Sequence, residues 1–260
     1  MTGAPGVTWL RCALVTLLLL STSSAFAGAK RRHFEPDDLE LEQPGTLDLD
    51  LQVGPLHGDS ASHDHLLLPD FEIGLGLTRN VELDVSGTFT VDEQGGKRHL
   101  SGDALWVASK LGLIDERDSH GDAWALGVEL GPRFPTIEAG GVGYGALALL
   151  GFTHHGLAVV LNAGTLIDPG ATRESEHPRS VVVGLDLNAP LDARGRWSLQ
   201  SELGGARYFS PDPPELAATL GATYAVTPRL DVSLTALAGF LRNTDHLGLL
   251  LGVSPQVGLW

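Results

Sequence analysis

Between Leu66 and Val91 the sequence LLLPDFEIGLGLTRNVELDVSGTFTV leaves the backbone little choice. Apolar side chains occupy every second position, Phe71, Ile73, Leu75 and Leu77, with Glu72, Gly74 and Gly76 between them. After Thr78-Arg79-Asn80 the alternation restarts as Val81, Leu83 and Val85 against Glu82, Asp84 and Ser86. A period of two belongs to an extended chain whose side chains point to opposite faces in turn, and so short a polar interruption makes a tight hairpin. One face carries branched hydrocarbon and the other carboxylates. The unit returns around Tyr224 to Leu234, with Thr227-Pro228-Arg229 at its turn, so one continuous sheet is expected to run through the chain.

From Thr46 onward the same period divides the chain into strand-length segments at about 46–54, 65–77, 81–91, 100–111, 122–134, 143–153, 157–167, 178–191, 196–209, 215–226, 230–241 and 247–259. That is about twelve strands, an even number, each close to the roughly 9 to 11 residues with which a tilted strand crosses a bilayer. The predicted fold class is therefore all-β, a single antiparallel up-and-down transmembrane barrel. The connections alternate too. Short turns at Thr78 to Asn80, His154 to Gly156, Asp192 to Arg196 and Thr227 to Arg229 fall on one side, and longer polar segments fall on the other. Short periplasmic turns and long external loops are the habit of outer-membrane barrels. Gly112 to Gly121 and Ser210 to Pro214 depart from it, the first a long turn on the short side and the second a short loop on the long side.

Aromatic residues collect near strand ends: Trp124, Phe152, Trp197 and Tyr224 at the short-turn end, and Phe89, Phe134, Tyr144, Tyr208, Phe209 and Phe240 at the other. Amphipathic rings gather at both interfaces of a membrane, so two girdles are expected, with Trp106 outside the pattern. The chain ends on Trp260, a terminal aromatic like the assembly signal of outer-membrane proteins, although the last apolar positions, Val257 and Leu259, are one residue out of phase with it.

Residues 1–27 are expected to be a cleaved signal peptide, with Arg11 before the apolar run Cys12 to Leu20 and Ala25-Phe26-Ala27 as the cleavage site. Cys12 is the chain's one cysteine, so the exported protein is expected to carry neither disulfides nor thiolate chemistry. The formal charge is −15, and −16 once Arg11 has left, which argues against nucleic acid as a partner. Residues 28–45 form a leader, basic at Lys30 to Arg32 and then acidic through Glu35, Asp37, Asp38, Glu40 and Glu42. It is expected to be a solvated tail, with a plug or partner-docking peptide as the alternative.

A soluble sandwich or large lipocalin-like barrel would put the apolar face inward. The scarcity of large aromatics among the apolar set, and a polar face rich in Gly, Ser and Thr, favour lipid outside and a confined lumen inside. With LPDFEIGLGLTRNVELDVS at Leu68 to Ser86 and its echo at Val226 to Leu234, the mature chain resembles the MetA-pathway of phenol degradation family, a porin-like group of outer-membrane barrels. That resemblance implies passage of small solutes, hydrophobic or aromatic compounds among them, and supplies no catalytic residues.

By strand phase the expected lumen-lining residues are Asp48, Asp50, Asp70, Glu72, Glu82, Asp84, Glu129, Asp186, Glu202 and Asp231, with Lys110, Arg133 and Arg207 as basic counterparts. Carboxylates around a narrow aqueous path favour cations. The competing expectation is a closed barrel filled by a paired polar network, since buried charge persists only when paired. His57, Asp59, His63, Asp64 and His65 offer zinc-type ligands in the first long loop, where a flexible polar loop is the commoner explanation. Neither metal nor cofactor is expected. An acyl hydrolase would need a serine beside a histidine, which Ser109 and Ser201 lack by phase, and an aspartate/histidine protease would need pairs meeting at the outer rim, from His63-Asp64-His65, His99 with Asp103, and Asp245-His246. The expected partners are outer-membrane lipid, the barrel assembly machinery and a small-molecule solute. Ala218, Ala222, Ala236 and Ala238 on the outward face offer close packing between barrels, hence a homo-oligomer, or simply fill space.

Overall fold

The computed structural model describes residues 41–58, 64–94, 97–102, 104–117, 122–137, 141–168, 179–209, 214–241 and 244–260. The expected signal peptide and residues 28–40 of the leader lie outside them, as does most of the first long loop. The described chain is all strand and turn: β1 (Thr46–His57), β2 (His65–Thr78), β3 (Val81–Gln94), β4 (Lys97–Gly102), β5 (Leu105–Arg117), β6 (Ala123–Phe134), β7 (Gly143–His154), β8 (Leu157–Ile167), β9 (Arg179–Pro190), β10 (Trp197–Tyr208), β11 (Glu215–Thr227), β12 (Leu230–Gly239) and β13 (Leu247–Gly258).

Except for β4 and β5, which do not pair with each other, each strand pairs antiparallel with its neighbours in sequence, and β1 pairs with β13, so the sheet closes on itself. Thirteen strands fill twelve positions. β3 pairs with β4 along Phe89 to Gln94 and with β5 along Val81 to Ser86, so β4, ending at Gly102, and β5, starting at Leu105, together form one staggered strand. The two pairings differ in register by one residue.

Alternation along each strand separates an exposed apolar surface from a buried interior. Leu161, Val183, Leu220 and Leu251 are among the outward side chains more than half exposed, whereas Asp48, Glu82, Glu129 and Glu202 are buried on the other face. This inverts a soluble barrel, and hydrocarbon is the solvent that such a surface fits. The girdles have definite partners. Trp124 packs on Phe152 and Trp197 on Tyr224, both at 4.6 Å between ring centroids, and the Arg196 guanidinium lies 4.9 Å from the Tyr224 ring. Tyr144, Phe209 and Phe240 stand exposed at the opposite end.

The short turns have local causes. In both repeated hairpins a threonine hydroxyl accepts the amide two residues on, Asn80 to Thr78 and Arg229 to Thr227. His155 and Gly156 have φ of 50° and 86°, the doubly positive pair that a two-residue hairpin turn demands. The Asp192 carboxylate accepts the amides of Arg196 and Trp197. The long turn expected at Gly112 to Gly121 is largely strand: Ile114 pairs with Leu126 and Glu116 with Trp124, which extends the β5–β6 hairpin at its short-turn end.

Candidate functional site

The interior of the barrel has two chemical zones along its axis. Toward the short-turn end, β1, β2, β3, β5 and β6 contribute Asp48, Asp50, Glu72, Glu82, Asp84, Lys110 and Glu129, all buried. Register sets their order around the wall. Asp50 stands opposite Glu72, Gly74 opposite Asp84, Glu82 opposite Lys110, and Lys110 opposite Glu129. The Lys110 ammonium group is therefore introduced between two carboxylate-bearing strands, and neither Lys110 nor Glu82 has exposed surface (0% each). Carboxylate oxygens of Glu72, Glu82 and Asp84 lie within 4.8 Å of one another, a set of hard oxygen donors.

Farther round the wall, Glu202 on β10 faces Asp186 on β9 and accepts the Thr219 hydroxyl at 3.2 Å, while Thr223 donates to Gln200 at 3.0 Å. Asp231, opposite Ser254, is buried on β12 with Ser233 and Thr235. Asp70 sits in the same phase as Glu72, half-buried, and accepts the Thr88 hydroxyl at 2.7 Å.

From mid-barrel toward the long-loop end the interior turns largely apolar. Trp106, Ala108, Leu147, Leu149, Leu166 and Val182 pack together from β5, β7, β8 and β9, and Leu56, Leu67, Leu237 and Leu250 form a second cluster across β1, β2, β12 and β13. Trp106 lies outside the girdles because it belongs to this inner wall: it shares the phase of Ala108 and Lys110, and its indole N–H donates to the Gly131 carbonyl at 3.2 Å. At this mouth Arg133 reaches Asp168 through both Nε and Nη2 at 3.1 Å and lies 6.0 Å from the Trp106 ring.

Twelve of the thirteen sequence-predicted lumen residues face this interior. Arg207 does not. It is exposed, pairs with outward Val181, and shares the odd phase of Leu199 and Leu203, so the strand's alternation turns it away from the lumen. Arg133 is inward because β6 places Glu129, Gly131 and Arg133 on the opposite phase from Leu130 and Phe134. Glu42, assigned from sequence to a solvated leader, is a further buried interior carboxylate. Among the described residues the interior thus gathers eleven carboxylates (the ten expected and Glu42), with Asp168 at the mouth, against Lys110 and Arg133, a strong excess of negative charge.

At the long-loop rim His57 pairs with Asp64, and His65 Nε2 lies 3.3 Å from Asp245. Asp59, His63 and Asp103 fall outside the described residues. The serines do not make a hydrolase pair: Leu83 and Leu130 stand opposite Ser109, Leu187 and Leu220 stand opposite Ser201, and the Ser201 hydroxyl donates to the Thr219 carbonyl.

No protein-family model matches the sequence, and no curated protein sequence matches it. The fold has solved counterparts. The chain superposes on the NanC porin with a TM-score of 0.58 at 10% identity, covering 80% of this chain and 100% of the porin. With the COG4313 outer membrane channel from Pseudomonas putida F1 the score is 0.57 at 13% identity, covering 86% and 99%. The outer membrane phospholipase A from Escherichia coli follows at 0.49 and 12%, covering 91% and 98%. The chain thus has the fold of bacterial outer-membrane barrels, and because one fold serves many activities, its own activity has to be argued from its interior.

Proposed function

We propose that this protein is a porin-like outer-membrane channel that passes small solutes passively, through a narrow, acidic and cation-preferring lumen. The observation that carries this reading is the charge imbalance of the inner wall, eleven carboxylates against two cationic side chains among the described residues. Negative groups enclosed by a low-dielectric wall focus their field on the axis, lowering the energy of a cation there and raising that of an anion. The apolar half beyond them, with Trp106 at its centre, suits solutes that are aromatic or hydrophobic as well as positively charged. This accords with the sequence resemblance to the MetA-pathway of phenol degradation family, and membership of that family is part of the proposal. So are export through a cleaved signal, residence in the outer membrane of a Gram-negative cell, and dependence on the barrel assembly machinery. The reading contains no catalytic step.

The depth of burial of Lys110, Glu82, Asp84 and Glu129 favours a second reading, a structural barrel whose polar filling is permanent. The two are separated by flux. Proteoliposomes holding the refolded mature chain should take up a small aromatic ammonium compound several-fold faster than an aromatic carboxylate of equal size. Equal and negligible uptake of both would favour the filled barrel.

A further inference from the structure

Residues 41–45 precede the first strand and do not run off into solvent. Gln43-Pro44-Gly45-Thr46 is a tight turn in which the Thr46 amide donates to the Gln43 carbonyl at 2.9 Å, with proline second and a glycine of φ 80° third. That is the pattern of a type II turn, whose third position requires positive φ. The turn is clamped from both sides: the Gly45 amide donates to the Gly76 carbonyl at 2.8 Å, and the Leu259 amide donates to the Gly45 carbonyl at 2.7 Å. Its effect is to reverse the chain at the rim and send Leu41, Glu42 and Gln43 back over the short-turn mouth.

The inner wall is shaped to receive this segment. On β2 the inward positions after Glu72 are Gly74 and Gly76, and a side chain added at Gly76 would collide with the carbonyls of Glu42 and Gln43. A Cβ at Gly74 would stand 3.6 Å from Glu42 Cγ and 3.3 Å from an Asp84 oxygen, and a Cβ at Gly112 on β5 would stand 2.9 Å from Leu41 Cδ1. The Glu42 amide donates to the Glu82 carboxylate, and the Glu42 side chain is 6% exposed. Three glycines thus leave the room, and a charged acceptor supplies the anchor, a bond of the stronger, charge-assisted kind.

We propose that residues 41–43 are an autoinhibitory strap: the segment lies over the Glu72, Glu82 and Asp84 cluster and narrows the short-turn mouth, and its release speeds entry of solutes to the acidic interior from that side. The idea rests on the channel reading for its purpose but not for its test. Because Cys12 is the only cysteine and lies in the expected signal, one introduced thiol is unique in the mature chain. Asp84→Cys in the refolded mature protein would be reacted with a cationic methanethiosulfonate. The same thiol would then be probed with Glu42→Pro, which removes the anchoring N–H, and with Gly76→Val, which evicts the segment. Labelling at least tenfold faster in both, with the rate at an exposed Thr227→Cys control unchanged, supports the strap. Equal labelling rates of the Asp84→Cys thiol in all three backgrounds overturn it.

A second construction does not depend on those variants folding. Leu41→Cys with Gly112→Cys should cross-link on oxidation, and two thiols that stay free under oxidant would overturn the placement of the strap. Planar-bilayer current read on the same proteins separates the two hypotheses. Faster labelling with no current in any variant sinks the channel and keeps the strap, whereas current in the parent protein with unchanged labelling does the reverse.

Discussion

The two halves of the barrel interior are built by the same strands at the same alternation, yet one is lined mainly by carboxylates and the other mainly by leucine, valine and tryptophan, with the Arg133–Asp168 pair at its mouth. β5 passes through both within five residues, from Trp106 through Ala108 to Lys110. Period two fixes which face a side chain serves, and that is all it fixes. Depth along the axis decides what the face must do. At the short-turn end the wall holds charge, which must be neutralised locally or hydrated to remain; at the long-loop end it holds hydrocarbon, which is stable by contact alone. A solute crossing the barrel meets an apolar section and a charged one in series.

The sharpest way to break this contrast is to remove the cation from the charged half. Lys110→Met leaves Glu82 and Glu129 facing each other across β5, and losing one partner of a buried charge set should cost about 3–5 kcal/mol. Urea unfolding in detergent would measure it, and adding Glu82→Gln and Glu129→Gln should recover most of the loss. A cost below about 1 kcal/mol would mean that water, not Lys110, satisfies these acids.

The matching change in the apolar half is Leu250→Ala. Leu250 has 0% exposure, so if that half is packed the truncation should cost about 2–4 kcal/mol in the same assay. A wide aqueous lumen would make it nearly neutral. Smaller still, Arg133→Gln removes the pair with part-exposed Asp168 and should destabilise by about 1 kcal/mol while increasing the cation preference of the long-loop mouth, read as a shift in reversal potential. The smallest effect is expected at the hairpin turn, where Thr227→Ala removes one exposed hydrogen bond to the Arg229 amide and should cost about 0.5 kcal/mol.

Strand limits were largely legible in the sequence because most segments contrast their two faces. Leu157–Ile167 begins and ends where its apolar alternation does, and Asp48, Asp50, Glu82, Asp84 and Glu129 lie inside as their phase requires. Legibility fails where the contrast fails. In Gly143–His154 leucine stands on both faces, Leu147 and Leu149 inward and Leu150 outward, and neither face carries charge, so nothing in the sequence alone marks Leu147 and Leu149 as an inner wall. The break between β4 and β5 shifts the phase by one residue, which reads as a single strand until the partners on β3 are known. Arg207 was decidable, since its odd position matches Leu199 and Leu203 and sets it outside the lumen expected of it. The return of the leader has a local signal in Gln43-Pro44-Gly45, a turn whose direction depends on the glycines of β2 and β5, roughly thirty and seventy residues away along the chain.

The central claim is that the acidic half of the interior is a selective path, and a reversal potential tests it most directly. With the refolded mature chain in a planar bilayer under a potassium chloride gradient, the account predicts discrete steps whose reversal potential has the sign of a cation-selective pore. It also predicts a shift of that potential toward zero when Asp84→Asn, Glu129→Gln and Glu202→Gln are combined. Anion selectivity, or a potential unmoved by the triple neutralisation, would contradict it.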